Sequence, residues 1–253
     1  MKKMRVLVAC EYSGTVRDAF RARGHHAMSC DLLPTERPGL HYQGDVRMVL
    51  DGWMPVSFAS ECDPDGDGWC LIIDAEPDGC PCIGPTQDEV EYIERDGILW
   101  GRPIEHPHWD LMVAHPPCTH LAVSGARWFK DKQEEQAAAL DFVRLLLDAP
   151  IQRIALENPV SIISSRIRKP DQIIQPYEHG HEATKTTCLW LKGLPHLKPS
   201  HIVGKGARHV TKSGRSLPEW YNLPPSEDRW KIRSATFPGI ANAMADQWGS
   251  LPC

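Results

Sequence analysis

The chain has 253 residues, 42% of them hydrophobic and 24% charged, which is enough apolar material for the core of one large domain. It contains no apolar run of about 18 residues, so we expect no membrane span and a cytoplasmic protein. The net charge of −5 is uneven: residues 58–105 hold 13 acidic and 2 basic residues, whereas residues 151–253 hold 14 basic and 8 acidic ones, so charge does not exclude nucleic acid as a partner.

The first elements have the pattern of a strand, a helix and a second strand. Apolar residues over Met4–Cys10 predict a buried strand rather than a signal peptide, because acidic Glu11 follows directly. Residues Thr15–Arg23 predict a helix with one apolar face, and His25–Cys30 predict a strand that ends at Asp31. Such a unit places backbone N–H groups and a carboxylate near a bound nucleotide, although any doubly wound domain shows the same pattern.

Residues 58–105 differ from their surroundings, and we expect an insertion at the rim of the sheet. The segment is acidic, is rich in Gly and Pro, and has the pattern of a hairpin over residues 69–79. Its four cysteines favour either a tetrahedral zinc site or reduced thiols in a solvated loop, and both alternatives stay open. Calcium is disfavoured because the carboxylates lack the terminal glutamate of an EF-hand loop. The candidate zinc ligands are Cys62, Cys70, Cys80 and Cys82.

The next predicted strand, Leu111–Ala114, ends in a stiff loop. Pro116 and Pro117 terminate the strand and restrict the backbone, which holds Cys118 at the carboxyl end of the strand. Open α/β sheets bind ligands at that end, so Cys118 is a candidate nucleophile; the alternative is a small buried hydrophobic residue. His115, which precedes the prolines, has no assigned role.

A second unit repeats this arrangement. Residues Lys132–Leu147 predict a helix and Ile151–Leu156 predict a strand, which Glu157 follows directly. Because the carboxyl ends of parallel strands share one edge of a sheet, Cys118 and Glu157 are predicted to lie on the same rim. We expect desolvation at this rim to keep a proton on Glu157 at neutral pH.

The C-terminal third is the most basic part. Residues 173–180 and 184–191 predict two strands, or a strand and a loop, and residues 239–248 predict a short helix. Between them, residues 196–236 carry 8 basic and 3 acidic residues. This composition suits phosphate contact and base stacking, or else a solvated loop with a few buried aromatic residues. The aromatic residues are Trp220, Tyr221 and Trp230.

In chain order, these motifs resemble those of the cytosine-5 DNA methyltransferases, in the compact forms common in phage genomes. Pro117-Cys118 is similar to the motif that carries the nucleophile of that family, and Glu157-Asn158 is similar to the motif that carries its catalytic acid. The resemblance implies a Rossmann-like S-adenosylmethionine-dependent methyltransferase sheet with helices on both faces. It also implies a flipped cytosine in duplex DNA as substrate, and the cytoplasm of a bacterial or phage-infected cell as location.

The resemblance further implies a site for S-adenosylmethionine. The turn that follows the first strand resembles the motif that wraps the methionine part of this cofactor. Asp31 matches the acid that holds the ribose hydroxyls, and Asp45 matches the acid that contacts the adenine amino group. The cofactor-binding candidates are Cys10, Glu11, Tyr12, Ser13, Gly14, Asp31, Asp45, Val46, Pro116 and Asn242, and the catalytic candidates are Cys118, Glu157 and Asn158.

Departures from the family pattern keep other functions open. The paired-arginine motif is not recognisable, and Lys185, Arg166 or Arg168 could replace it. The large target-recognition domain is reduced to residues 196–236, and the insertion is foreign to the family. The alternatives are an enzyme that methylates amino groups in DNA, a modifier of pyrimidine nucleotides, and a non-catalytic DNA-binding protein with the cofactor fold. Four parts are predicted: a catalytic domain (1–57 and 106–195), the insertion (58–105), a recognition-like region (196–236) and a closing helix (237–253).

Overall fold

The computed structural model describes residues 3–55, 90–95, 97–104, 108–123, 131–224, 226–227 and 229–252. The four candidate zinc ligands and the hairpin predicted over residues 69–79 lie outside these ranges. Within them, no group of three or more His, Cys, Asp or Glu side chains is placed to hold a metal ion. No helix of the described part of the chain combines the length and the hydropathy needed to cross a membrane.

The described residues form twelve strands and five α-helices. The strands are β1 (Arg5–Ala9), β2 (His26–Asp31), β3 (His41–Gln43), β4 (Met54–Pro55), β5 (Val90–Arg95), β6 (Ile98–Pro103), β7 (Leu111–Ala114), β8 (Arg153–Asn158), β9 (Gln172–Ile174), β10 (Thr187–Lys192), β11 (Arg208–Val210) and β12 (Ser216–Pro218). The helices are α1 (Thr15–Arg21), α2 (Gln133–Leu147), α3 (Ile163–Arg166), α4 (Arg229–Ser234) and α5 (Pro238–Gly249).

A seven-stranded, largely parallel sheet organises the chain. Its order is β3-β2-β1-β7-β8-β10-β9, in which the first five strands are parallel and β10 runs antiparallel to both of its neighbours. This is a mixed α/β architecture compatible with a Rossmann-like fold, so the predicted fold class is confirmed at that level. The strand order reverses between β1 and β7, and open sheets bind ligands beyond the carboxyl ends of strands at such a point.

Helices cover both faces of this sheet, as predicted. Alternate residues of β1 point to opposite faces: Val6 and Val8 pack with α1 and α5, whereas Leu7 and Ala9 pack in the cluster that contains α2. Both clusters are built from side chains that are almost completely buried. The two-sided burial explains why the strands read as continuous apolar runs in the sequence.

The predicted strand and helix bounds agree with the structure to within two residues for β1, α1, β2, β7, α2, β8 and α5. One small difference bears on the site. Strand β8 extends to Asn158, so Glu157 and Asn158 are its last two residues rather than the start of a loop. The backbone of both residues is therefore fixed by pairing with β10, in the register Glu157–Leu189 and Asn158–Cys188.

The described end of the predicted insertion belongs to the packed core. Strands β5 and β6 form an antiparallel sheet with β4, which precedes residue 58, so this sheet crosses the predicted domain boundary. Trp100 of β6 is 1% exposed and packs edge-on against Tyr42, with ring centroids 5.1 Å apart. Strands β5 and β6 thus join this end of the predicted insertion to the residues that precede it, whereas the choice between zinc and reduced thiols concerns cysteines outside the described residues.

Candidate functional site

The sequence-predicted site residues come from the carboxyl ends of adjacent parallel strands. The turn over residues 10–14 follows β1, Asp31 ends β2, Cys118 follows β7, and Glu157 lies at the end of β8. These strands are neighbours in the sheet, and their parallel direction brings all four ends to one edge. The candidates therefore surround the switch point between β1 and β7, where chemistry is expected in this architecture.

Backbone and side-chain hydrogen bonds hold the loop over residues 115–118 on two sides. The His115 backbone N–H donates to the Ala9 carbonyl at 2.9 Å, which continues the pairing of β7 with β1. The Asn158 side-chain N–H donates to the Pro116 carbonyl at 2.9 Å, and Asn158 is 1% exposed. The Cys118 carbonyl accepts two backbone N–H groups of the following turn, and its thiol is exposed at the rim. Asn158, one of the three catalytic candidates, thus anchors the loop that carries Cys118.

Glu157 is held by three partners. His115 Nδ1 lies 3.2 Å from Glu157 Oε2, and the two side chains are only 10% and 12% exposed. Burial raises the pKa of Glu157, but the hydrogen bond and charge of His115, the charge of Lys185 and a hydrogen bond from Thr187 outweigh burial and lower it. The carboxyl group is therefore ionised at neutral pH. The expectation that desolvation keeps it protonated is wrong, because the sequence did not show these partners.

The thiol of Cys118 carries its proton at neutral pH. Partial desolvation of the sulfur and the negative charge of Glu157 raise the pKa of Cys118, while the positive charges of Lys185 and Arg233 act in the opposite direction. A nucleophilic role for Cys118 therefore requires that the thiol first lose its proton. The two cations are placed to stabilise the thiolate once it forms.

Lys185 lies beside both catalytic candidates. Burial lowers the pKa of Lys185, and the negative charges of Glu157 and Cys118 oppose that shift. Its ammonium group donates to the Ala235 carbonyl at 3.2 Å. The other two candidates for the missing arginine motif, Arg166 and Arg168, line a cavity of about 660 Å³ near the end of α2, away from this edge. Of the three basic residues, Lys185 is the one that the structure brings to the site.

Helix α4 covers the turn that follows β1, and the sequence did not predict it. The hydroxyl groups of Tyr12 and Ser234 share a hydrogen bond of 2.8 Å, and the rings of Tyr12 and Trp230 lie 5.7 Å apart. The helix has six residues and none is buried, so it shows no apolar stripe. The one sequence feature that marks this helix is an alternation of basic and apolar residues, in which the basic ones are Arg229, Lys231 and Arg233.

Glu11 caps helix α1. Its Oε1 accepts the Val16 backbone N–H at 2.7 Å and its Oε2 accepts the Arg17 backbone N–H at 3.1 Å. The Ser13 hydroxyl donates to the same carboxylate at 3.2 Å, and Glu11 is 4% exposed. Gly14 follows with a φ of 69°, a left-handed conformation that starts the helix. Glu11 and Ser13 therefore build the turn, and their contact with a cofactor stays a prediction.

Replacement of Glu11 by alanine is expected to lower the free energy of unfolding by about 1–2 kcal/mol, because two helix N–H groups lose their acceptor in a buried position. Glu11→Gln keeps one amide oxygen and should lose less. Urea unfolding followed by circular dichroism measures both. Glu134→Ala, in the exposed first turn of α2, is the matched control and should change stability by no more than about 0.5 kcal/mol. An equal loss in both variants would contradict the capping role.

Asp31 and Cys10 form the side of the site next to β2. Burial raises the pKa of Asp31, and backbone N–H groups and the charges of His41 and His115 offset part of this shift. One Asp31 oxygen accepts the Leu33 backbone N–H at 2.9 Å. Cys10 has a φ of 59°, and burial and the nearby Asp31 carboxylate raise its pKa, so its thiol is uncharged. The left-handed backbone at Cys10 is strained, and the N–H of the next residue, Glu11, donates to the Cys30 carbonyl of β2 at 3.1 Å.

The three remaining cofactor candidates have separate positions. Asp45 accepts the Arg47 backbone N–H at 3.0 Å and pairs with the Arg47 guanidinium at 2.9 Å, while Val46 is buried beneath it. Asn242 is exposed on α5, and its side-chain oxygen lies 3.4 Å from Arg23 Nη1, beyond the other end of α1. The structure therefore leaves Asn242 outside the group of side chains at the carboxyl edge.

The structure thus brings the turn over residues 10–14, Asp31, Cys118 and Glu157 to one edge. It adds His115, to which the sequence gave no role, Lys185, which the sequence offered as one of three alternatives, and Arg233, which the sequence did not single out. Two carboxylates, a thiol and several cations around a switch point can bind a nucleoside and carry out nucleophilic and proton-transfer chemistry. No protein-family model matches this chain, and no curated protein sequence shows significant similarity to it.

Proposed function

We propose that this chain is an S-adenosylmethionine-dependent methyltransferase that methylates carbon 5 of cytosine in DNA. The observation that carries the proposal is the proximity of Cys118 and Glu157, which come from the carboxyl ends of two adjacent parallel strands, with Lys185 beside both. A soft nucleophile, a carboxyl group and a cation in one partly desolvated pocket are what activation of a pyrimidine ring requires.

Cys118 is the nucleophile in this proposal. Carbon 5 of cytosine is itself a poor nucleophile, and addition of the Cys118 sulfur to carbon 6 gives it the electron density it needs. Partial burial and Glu157 raise the pKa of Cys118, so the sulfur carries a proton at neutral pH. It must lose this proton to solvent before it adds to carbon 6. Lys185 and Arg233 then stabilise the thiolate electrostatically.

Glu157 acts on the opposite side of the ring. Electron density that enters at carbon 6 reaches ring nitrogen 3, and a hydrogen-bonded carboxyl group stabilises that nitrogen as it takes a proton. Glu157 is the penultimate residue of β8, and pairing with β10 fixes its backbone independently of the loop that carries Cys118. Asn158 fixes that loop through the Pro116 carbonyl, so the nucleophile and the acid keep a defined separation.

The residues near β1 and β2 suit a nucleoside cofactor. The Asp31 carboxylate follows β2 as expected for a ribose ligand, and one of its oxygens is fixed by a backbone N–H while the group stays partly accessible. Asp45 and the backbone of residues 10–14 lie at the adjoining strand ends. When bound there, S-adenosylmethionine supplies the electrophilic methyl group that the activated carbon accepts.

DNA is the favoured substrate because basic residues surround this edge. Arg229, Lys231 and Arg233 occupy alternate positions of α4, the helix that Tyr12 of the turn over residues 10–14 contacts. Such cations suit phosphate groups, and exposed Trp230 offers a surface for stacking. A cytosine within a duplex cannot reach the rim of the sheet, so we expect it to be flipped out.

The proposal is tested by incubating the purified chain with radiolabelled S-adenosylmethionine and three acceptors: unmethylated mixed-sequence duplex DNA, the same DNA as single strands, and free cytidine nucleotides. We expect label in duplex DNA and 5-methylcytosine in its nucleoside digest. N-methylated bases would identify an amino-group methyltransferase, and label only in free nucleotides would identify a nucleotide modifier. Cofactor binding without any transfer would leave the non-catalytic DNA-binding alternative.

A further inference from the structure

We propose that Arg17 and His41 position the Asp31 carboxylate for the cofactor, through a chain of hydrogen bonds that starts at the buried guanidinium of Arg17. The chain ends at Leu33 and passes through two side chains, those of Ser29 and His41. The inference rests on the proposed function, in which Asp31 holds the ribose hydroxyl groups of S-adenosylmethionine. It names the residues that orient this carboxylate, and none of them lies in a motif that carries the family resemblance.

Arg17 of α1 is completely buried, with an exposed fraction of 0%. Burial of a charged group is costly unless hydrogen bonds compensate it, and the guanidinium donates to one carboxylate, two hydroxyl groups and two carbonyls. The acceptors are Asp18 Oδ1 at 2.8 Å, Ser29 Oγ at 3.2 Å, Thr35 Oγ1 at 3.3 Å, and the carbonyls of Arg37 at 3.2 Å and Pro38 at 2.8 Å. The last three acceptors belong to the segment that connects β2 with β3, so Arg17 fixes the shape of that segment.

Two glycines leave room for this guanidinium. A Cβ atom on Gly14 would lie 2.6 Å from Arg17 Nη2, and one on Gly39 would lie 2.9 Å from Arg17 Cζ, which is closer than a side chain tolerates. Gly14 belongs to the turn that follows β1, and Gly39 belongs to the segment that follows β2. The guanidinium therefore lies between the two backbone segments that border the proposed cofactor site.

The partners of His41 determine the direction of each hydrogen bond in the chain. The Leu33 carbonyl can only accept, so His41 Nε2, which lies 3.0 Å away, carries a proton. Burial of the ring lowers the pKa of His41, so the ring is uncharged at neutral pH and its Nδ1 is an acceptor. The Ser29 hydroxyl therefore donates to His41 Nδ1 at 2.9 Å and accepts from Arg17 Nη1 at 3.2 Å.

The last link of the chain reaches Asp31. Leu33 accepts the His41 Nε2–H with its carbonyl and donates its backbone N–H to Asp31 Oδ1 at 2.9 Å. His41 is the first residue of β3 and pairs with Ser29 of β2, so the sheet fixes the origin of its ring. Leu33 is 39% exposed, so its position depends largely on these two hydrogen bonds. Loss of the His41 contact is therefore expected to release the carboxylate from the orientation that a ribose needs.

Two ligands separate positioning of Asp31 from a general loss of structure: S-adenosylhomocysteine and an analogue of it that lacks both ribose hydroxyl groups. His41→Phe keeps an aromatic ring but removes both of its hydrogen bonds, whereas His41→Gln keeps a side-chain N–H for the Leu33 carbonyl. Isothermal titration calorimetry measures the Kd of each ligand. For His41→Phe we expect the Kd of S-adenosylhomocysteine to rise by about 10-fold or more, and that of the analogue by less than about twofold. His41→Gln should recover most of the affinity.

Three further variants sharpen this test. Arg17→Lys keeps the charge but loses the planar set of N–H groups, and it should show the same selective loss as His41→Phe. In an Asp31→Ala background, His41→Phe should change the Kd of S-adenosylhomocysteine by less than about twofold, because no carboxylate is left to position. His26→Phe, at the exposed amino end of β2, is the control and should leave both Kd values unchanged.

The outcomes are distinguishable. Wild type that binds neither ligand would refute the proposed function, and the inference with it. Wild type that binds both, with an equal loss of both affinities in His41→Phe, would overturn the inference alone and assign the hydrogen-bond chain to general stability. An unchanged affinity in His41→Phe would overturn it as well.

A second measurement needs no ligand. Nitrogen NMR of protein labelled with ¹⁵N-histidine reports which ring nitrogen carries a proton. We expect the neutral Nε2–H form for His41 in wild type at about pH 7.5. Any other form would break the chain between Ser29 and His41 and overturn the proposal whatever the binding measurements show.

Discussion

Replacement of Cys118 by serine is expected to abolish methyl transfer, with a fall in single-turnover rate of about 10⁴-fold or more. The hydroxyl group occupies nearly the same volume as the thiol, but it is a far weaker nucleophile and Lys185 and Arg233 cannot ionise it near neutral pH. Transfer of label to duplex DNA under excess enzyme measures this rate directly.

The matched control removes a different thiol near the same edge. Cys188 of β10 is 2% exposed and pairs with Asn158, so Cys188→Ala perturbs packing beside the acid without touching the nucleophile. We expect it to keep its rate within about threefold at a temperature well below its unfolding transition. Equal losses in both variants would point to a packing effect rather than to nucleophilic catalysis.

Covalent trapping gives an independent test of the same step. DNA that carries fluorine at carbon 5 of cytosine should form a stable adduct with wild type, because the fluorine cannot leave as a cation when elimination is due. Cys118→Ser should form none, and Cys188→Ala should form as much as wild type. A Cys118→Ser protein that still transferred methyl groups would sink the proposed mechanism and favour amino-group methylation.

The sequence predicted that Cys118 and Glu157 lie at one edge of the sheet, because this placement follows from a simple geometric rule. Each follows or ends an apolar run of four to six residues, and parallel strands place their carboxyl ends on one edge. The paired prolines after Ala114 marked the end of β7, and the continuous apolar pattern marked burial on both faces. The same rule placed the turn after β1 and the carboxylate of Asp31 at this edge.

Protonation states were not predictable, because they depend on partners that are distant in the chain. Glu157 looked like a desolvated, protonated acid, yet His115 is 42 residues away in sequence and 3.2 Å away in space. Lys185 reaches the pocket from the segment before β10. Burial alone would raise the pKa of Glu157, and only these tertiary contacts lower it.

The resemblance to family motifs predicted which residues lie near the site better than it predicted the contacts that each residue makes. Glu11 and Asn158 both occur where a functional residue was expected, but one caps α1 and the other anchors the Pro116 loop. The sequence did not predict helix α4, because none of its residues is buried and it has no apolar stripe. The helix nevertheless contacts Tyr12 and places Arg233 near Cys118. Local hydrophobic periodicity detects elements that build the core, and this helix does not.

Glu157→Gln is expected to lower the rate of methyl transfer by about 10²–10⁴-fold, since general acid catalysis contributes on that scale. The amide keeps the shape of the carboxyl group, and its oxygen can still accept the His115 Nδ1–H. It cannot relay a proton to nitrogen 3, so the loss should appear in the single-turnover rate and not in cofactor affinity. An unchanged rate would place the acid elsewhere in the site.

The same variant should also change the pH dependence of stability. The pKa of Glu157 is lower in the folded than in the unfolded protein, so its stabilising contribution is present above the unfolded value of about 4.3 and disappears as the pH falls through the folded value. Urea unfolding should therefore show Glu157→Gln to be less stable than wild type at neutral pH, with the difference shrinking in acid.

A double-mutant cycle links this effect to His115. If His115 acts only by holding Glu157, then adding His115→Asn to Glu157→Gln should cause little further loss of rate, although His115→Asn alone should be slower than wild type. Independent roles would instead multiply the two losses. Non-additivity is the expected result because His115 Nδ1 lies 3.2 Å from Glu157 Oε2, and a residue that does no more than hold this carboxyl group has nothing left to support once the group is gone.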